Sequence, residues 1–201
     1  MKLIGLTGGI GAGKSSVSAL LAGHGAVVVD ADAITRELQR PGEPVFEAIV
    51  ERFGTQVVAL DGTLDRPALA AIVFGDREAL AALNELVHPA VGVAIAGSIA
   101  AHAGTDRVVV LDVPLLVESS KPRTDLAGLV VVDCPVEVAV ERLVGSRGMD
   151  EADARARIAR QATREERLAR ADHVIDNGGP QEALPALVVA AWAWIERLPA
   201  A

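Results

Sequence analysis

Short apolar, mostly β-branched runs punctuate the chain at Lys2–Leu6, Ala26–Asp30, Val108–Asp112, Leu129–Asp133 and His173–Asp176. Their apolar positions are consecutive rather than alternating, which is the pattern of strands buried on both faces of a parallel sheet. Segments of helical character separate them, so the expected architecture is an α/β sandwich with a five-stranded parallel sheet. Two intervals are too long to be simple crossovers. The first, from Asp30 to Val108, reads as almost entirely helical, with breaks at Pro41-Gly42, Gly54, Asp61-Gly62, Gly75, His88-Pro89 and near Gly104. Within it, Asp65-Arg66-Pro67 has the form of a helix start, with Asp65 as N-cap and proline in the first turn. A helical insertion after the second strand is well placed to hold a second substrate, because α/β sites lie at the carboxyl ends of the strands. The alternative is a purely structural helical cap.

The second long interval, from about Pro135 to Arg170, carries Arg142, Arg147, Arg155, Arg157, Arg160, Arg164, Arg167 and Arg170, half of the chain's arginines. Glutamates and aspartates interleave with them, so most of these charges should form a solvated, ion-paired face. A minority would suit a lid that closes on phosphates, with its hinge at Arg147-Gly148 and a new helix starting at Asp150. A last helix is expected over Glu182–Leu198. Its Trp192 and Trp194 stand two apart and cannot share one face, so one of them should be partly exposed.

Composition changes this picture modestly. Half of the 201 residues are hydrophobic (51%) but only 2% are aromatic, so the core must be built from Ala, Val, Leu and Ile. A net charge of −8 argues against a general nucleic-acid binder while permitting a local anion pocket. Cys134, the single cysteine, excludes an internal disulfide and reads as a small buried thiol. Lys2 ahead of apolar residues resembles a leader only superficially, since glycines interrupt it at once. The apolar run Ala186–Ile195 is too short to span a bilayer. A cytoplasmic protein with no membrane or nucleic-acid partner is expected, as a monomer or small homo-oligomer.

Chemistry enters at Gly8-Gly9-Ile10-Gly11-Ala12-Gly13-Lys14-Ser15, which fits G-x-x-x-x-G-K-[ST] between a strand and a helix. Glycines allow backbone N–H groups to curl around phosphate oxygens, and the helix N-terminus adds partial positive charge. Lys14 would neutralise the β- and γ-phosphates, and the Ser15 hydroxyl would serve a phosphate-bound Mg²⁺. The second strand closes on Asp30, with Asp32 two residues later. That pair fits a strand end followed by a helix cap, and it also fits a carboxylate that takes a proton from an acceptor hydroxyl. The third strand ends in four apolar residues and Asp112, whose carboxylate would assist Mg²⁺ directly or through water. The chain lacks N-K-x-D, the guanine-recognition pattern of switch GTPases. A nucleoside monophosphate kinase or another small-metabolite kinase remains open on these residues, as does a nucleotide-hydrolysing switch.

Taken together, these blocks resemble the dephospho-CoA kinases. The matching pieces are Ile4 to Ser15, Val29-Asp30-Ala31-Asp32, His88-Pro89, Asp112-Val113-Pro114-Leu115-Leu116-Val117-Glu118, Arg157-Ile158-Ala159-Arg160-Gln161 and Ala171 to Asn177. The resemblance implies a three-layer P-loop kinase fold with a helical substrate-binding insertion and a helical lid. It implies a nucleotide-binding core over 1–31, 105–140 and 166–201, an acceptor domain over 32–104 and a lid over 141–165. It also implies ATP-dependent phosphorylation of the ribose 3′-hydroxyl of dephospho-CoA. By position, Gly9 and the run Gly11, Ala12, Gly13, Lys14, Ser15 and Ser16 would bind ATP, with Asn177 near the adenine. Asp32 would be the general base and Arg142 the lid arginine. His88, Pro114, Leu115 and Leu116 would line the acceptor side; His88 fits a helix boundary before Pro89 equally well. Val117 departs from the family, which often carries phenylalanine there, as does the loop after Glu118, where a glycine is common.

Overall fold

The computed structural model describes residues 1–114, 116–117 and 125–199. Leu115, Glu118 and the segment 119–123 singled out above lie outside the described residues. The chain divides into two units, Met1–Val29 with His102–Ala201, and Asp30–Ala101.

In the first unit the apolar runs form strands almost where the pattern places them. These are β1 (Lys2–Gly8), β2 (Val27–Asp30), β3 (Val108–Asp112), β4 (Gly128–Asp133) and β5 (His173–Asp176). They make one sheet in the order β2-β3-β1-β4-β5. The pairs of β1 with β3 and β4, and of β4 with β5, are parallel, as continuous apolar runs demand. One face, carrying Ile4, Leu6, Val110, Val130, Val132 and Ile175, is buried with Val17 and Leu21 of α1 (Lys14–Gly23) and Val188 and Ile195 of α9 (Leu184–Arg197). The alternate residues Leu3, Val109, Leu111 and Val131 are buried too. Both tryptophans of α9 are partly buried, Trp192 stacked on His24 at 5.6 Å and Trp194 on His173 at 5.0 Å.

The arginine-rich interval resolves into α6 (Val136–Arg147), α7 (Glu151–Ile158) and α8 (Arg164–Ala169). Gly148 ends α6 in the left-handed conformation, with Met149 N–H returning to Leu143 O at 3.2 Å, and Asp150 caps α7 through the Ala152 N–H at 2.8 Å. The expected ion-paired face is present where Arg155 bridges Glu137 and Glu151. These contacts hold the Arg155 guanidinium pKa above its ordinary value, the Glu137 hydrogen bond first.

The second unit holds α2 (Ala31–Leu38), α3 (Pro44–Phe53), α4 (Arg66–Gly75) and α5 (Arg77–Ala100) around a core that includes Phe46, Ile49, Phe53, Leu69 and Val87. Asp65 caps α4 through the Ala68 N–H at 2.9 Å, and Asp76 caps α5. One expectation fails. No break occurs at His88-Pro89; α5 runs through Pro89 without interruption. A proline inside a helix costs about 3 kcal/mol, but α5 packs against α2, α3 and α4 and buries Val87 beside the proline. Tertiary burial here overrides local propensity. Among the described helices α5 is also long and apolar enough to cross a bilayer, by length and composition alone.

Candidate active site

The geometry of the glycine loop follows from two backbone demands. Ala12 N–H bonds to Gly9 O at 3.0 Å, closing a turn whose third residue, Gly11, sits at φ 81°. That is a type II turn, whose third position requires positive φ and therefore glycine. Gly13 follows at φ 89° and starts α1 with no side-chain cap and no acidic residue in the first turn. The N-terminal amides and the positive end of the helix dipole therefore have no protein anion competing for them within the helix.

Sheet register then brings a carboxylate to the loop. Leu6 pairs with Asp112 across β1 and β3, and Asp112 is buried at 3% exposure. The Lys14 ammonium, on the first turn of α1, donates to Asp112 Oδ1. An ion pair this buried survives only where geometry compensates for desolvation, and the pairing places the loop lysine and the strand-end aspartate at one point. Ser15 and Ser16 are exposed beside it.

The far half of the first unit braces the loop. Asn177 follows β5, is buried, and donates from Nδ2 to Ala12 O at 2.8 Å. Gln161 Oε1 accepts from Ile10 N–H at 2.8 Å. The Arg167 guanidinium is buried and lies over Gly9, where a Cβ would come within 2.9 Å of Nη2. Arg164 makes a two-pronged bond to the buried Asp133 carboxylate, with Nη2 to Oδ2 at 2.7 Å, and that bond raises the guanidinium pKa. Arg142, on α6, has a buried Nη1 with no hydrogen-bond partner among the described residues. Burial pushes the Cys134 thiol pKa up, although Arg142, Arg164 and Arg167 all pull it down. Three guanidinium groups thus converge on the carboxyl end of β4. Sequence reasoning named Asp133 only as a strand end and Arg167 only among the arginines of the ion-paired face or lid, and it gave Gln161 no role beyond the quoted Arg157–Gln161 block.

The acceptor-side residues distribute as follows. Asp30 caps α2, its Oδ1 accepting from Asp32 N–H at 2.8 Å and Ala33 N–H at 3.0 Å. Asp32 is exposed in the first turn of α2, and His88 is exposed in mid α5, both within the helical unit. In the first unit, Pro114 O accepts from the buried Thr7 hydroxyl at 3.1 Å, and the Leu116 side chain packs over Gly5. Val117 is buried, and its carbonyl accepts from Arg170 Nη1 at 3.0 Å.

A parallel sheet of this order, a glycine loop leading into a helix, and a loop lysine paired with the strand-end aspartate define a P-loop kinase of the small-molecule type. Solved structures agree on the fold. A crystal structure from Thermus thermophilus matches with TM-score 0.81 at 36% identity, covering 96% of this chain and 97% of its own. A dephospho-CoA kinase from Campylobacter jejuni matches with TM-score 0.73 at 24% identity, over 97% and 98%. The dephospho-CoA kinase family profile matches residues 2–182, and a dephospho-CoA kinase from Streptomyces avermitilis is 56% identical over 96% of this chain and 93% of its own length. The chain belongs to the dephospho-CoA kinase family.

Proposed function

We propose that this protein transfers the γ-phosphoryl group of ATP to the ribose 3′-hydroxyl of dephospho-CoA, releasing CoA and ADP. The observation that carries the donor half is the Lys14–Asp112 pair at the root of the glycine loop, in a chain of this family. Phosphoryl transfer needs positioning and charge neutralisation more than covalent chemistry. Gly9 and the run Gly11 to Ser16 cradle the phosphates, and Lys14 exchanges its carboxylate partner for phosphate oxygens. Arg142, with a buried donor unmatched by any acceptor among the described residues, stabilises charge on the group in transit. Asp32 accepts the proton of the acceptor hydroxyl. Asn177 holds the loop backbone on the side toward the adenine, and His88, Pro114, Leu115 and Leu116 line the acceptor side.

Mg²⁺, which binds through one or two protein oxygens plus substrate phosphates, neutralises charge on those phosphates when present. Ser15 and Asp112 supply oxygen donors of the kind it takes, and no cluster of three acidic, histidine or cysteine side chains occurs among the described residues. The core, acceptor and lid segments are those read from the sequence. The protein works in the cytoplasm on small molecules, as a monomer or small homo-oligomer, without nucleic acid or membrane. The balance of −8 supports the absence of nucleic acid. The test is ADP formation from ATP–Mg²⁺ with and without dephospho-CoA, with the product's phosphate position assigned by ³¹P and ¹H NMR. Acceptor-independent hydrolysis at the full rate defeats the proposal, as does a phosphate at any other hydroxyl.

A further inference from the structure

We propose that Gln161 is a positioning residue for the ATP phosphates, acting by holding the tip of the glycine loop through the Ile10 amide. Gln161 acts on no reacting atom; its reach is through the backbone of the loop. Four observations carry it. Gln161 Oε1 accepts from Ile10 N–H at 2.8 Å. Ile10 is the second residue of the type II turn Gly9–Ala12, and it lies upstream of the amides from Gly11 to Ser16 assigned to phosphate. The N–H of a turn's second residue points out of the turn and is not consumed by the turn's own bond, so at half-buried Ile10 it takes an acceptor from outside the turn, and Gln161 supplies it. Gln161 therefore meets that need without competing for phosphate-binding donors.

The anchor itself is built into structure. Gln161 N–H bonds to Ile158 O at 3.1 Å and Arg160 N–H to Arg157 O at 3.3 Å, so successive turns fix the backbone from the end of α7 to residue 161. Arg155 ties α7 back to Glu137 of α6. On the other side, Arg167 donates to Ala162 O and covers Gly9. The connection between α7 and α8 thus presents one side-chain acceptor to the loop tip from a backbone held on both sides. Loosening this bond lets the Gly9–Ala12 turn sample other orientations, which disorders the amides that follow it.

An effect of this kind acts on the ground state and the transition state alike, so it appears in KM rather than kcat. Gln161→Leu, similar in size but without an acceptor, should raise KM for ATP about tenfold, the factor that corresponds to one lost hydrogen bond of ordinary strength. It should leave kcat and the KM for dephospho-CoA within about threefold, with a melting temperature lower by only about 2–4 °C, the share of one hydrogen bond. Inorganic tripolyphosphate, which engages the phosphate-binding groups and no adenine contact, should lose inhibitory strength by the same factor, while adenosine, which lacks phosphates, should not. A merely structural role would not separate these two inhibitors. If Gln161→Leu does not fold, Gln161→Met tests the same loss with a more adaptable side chain. The wild-type protein offers an independent reading: by hydrogen exchange the Ile10 amide must be protected. A freely exchanging Ile10 amide overturns the proposal, as does a variant with unchanged ATP KM and tripolyphosphate inhibition, or one whose loss lies in kcat alone. The inference rests on ATP as the donor. Absence of dephospho-CoA-dependent ADP formation in the wild type would defeat that reading, whereas the outcomes above defeat only the role of Gln161.

Discussion

Replacing Gly13 by alanine should damage the site through two separable terms. Gly13 sits at φ 89°, ψ 22°, and holding an L-residue in the left-handed region costs about 1–2 kcal/mol. A Cβ there would lie 2.3 Å from Asn177 Nδ2, so the amide must retreat by roughly an ångström to reach ordinary contact. That movement breaks its 2.8 Å bond to Ala12 O and leaves a buried donor unpaired, which costs about 1–3 kcal/mol. The gain from a less flexible unfolded chain offsets about 0.4–1 kcal/mol. The net is a loss of about 3 kcal/mol, or a melting temperature lower by about 6–12 °C for a chain of this size. The decisive measurement is a double-mutant cycle by thermal unfolding with Gly13→Ala, Asn177→Ala and both together. In the Asn177→Ala background only the dihedral cost remains, so the pair should fall short of additivity by about 1–3 kcal/mol, the cost of the unpaired amide. Additive losses, or a neutral Gly13→Ala, would show that Asn177 does not brace the loop as argued.

Asp32→Asn should leave ATP binding nearly intact while lowering turnover by on the order of 10²–10⁴, the span of a lost general base; steady-state ADP release checks it. Desolvation, with a smaller push from Arg197, lowers the His173 pKa below its ordinary 6.5. The unfolded chain therefore binds more protons between the lowered value and 6.5, and the contribution is complete above about 6.5 and lost as pH falls through the folded value. Melting curves from pH 7.5 to 5 should accordingly show a steeper decline for the wild type than for His173→Phe, which keeps an aromatic partner for Trp194. Equal slopes would remove His173 as a source of acid sensitivity. The Cys134 thiol, buried and pushed up by desolvation, should react with a thiol reagent at pH 8 far more slowly in the native protein than in denaturant. Comparable rates would contradict its burial.

Much of the frame was legible because it depends on short-range rules. Consecutive apolar residues marked the strands to within a few positions. Aspartates before helices marked starts at Asp65 and Asp150, since an N-cap acceptor bonds only two or three residues ahead. The Asp30-Asp32 pair reads as strand end followed by cap, or as chemistry, and the hydrogen bonds put the cap on Asp30, one step earlier than that order implies. Pro89 shows where such rules stop. Locally it signals a break, but the buried face of α5 is a property of the folded helical unit.

The sequence alone determined the phosphate loop, because turn glycines, lysine and serine at fixed spacing are a local demand of phosphate on backbone. It also determined the alternation of strand and helix, and through ordered blocks the family. Tertiary structure decided what the loop residues touch. Lys14 meets Asp112, Ile10 meets Gln161 and Ala12 meets Asn177 across 98, 151 and 165 residues of chain. Asp112 and Asn177 follow from strand order and parallel register, which set the carboxyl ends of β1, β3, β4 and β5 side by side, whereas Gln161 reaches Ile10 from the connection between α7 and α8. Periodicity carries no record of which strand lies beside which. The bracing of the loop is therefore a consequence of topology, written in the chain only as scattered polar residues after apolar runs.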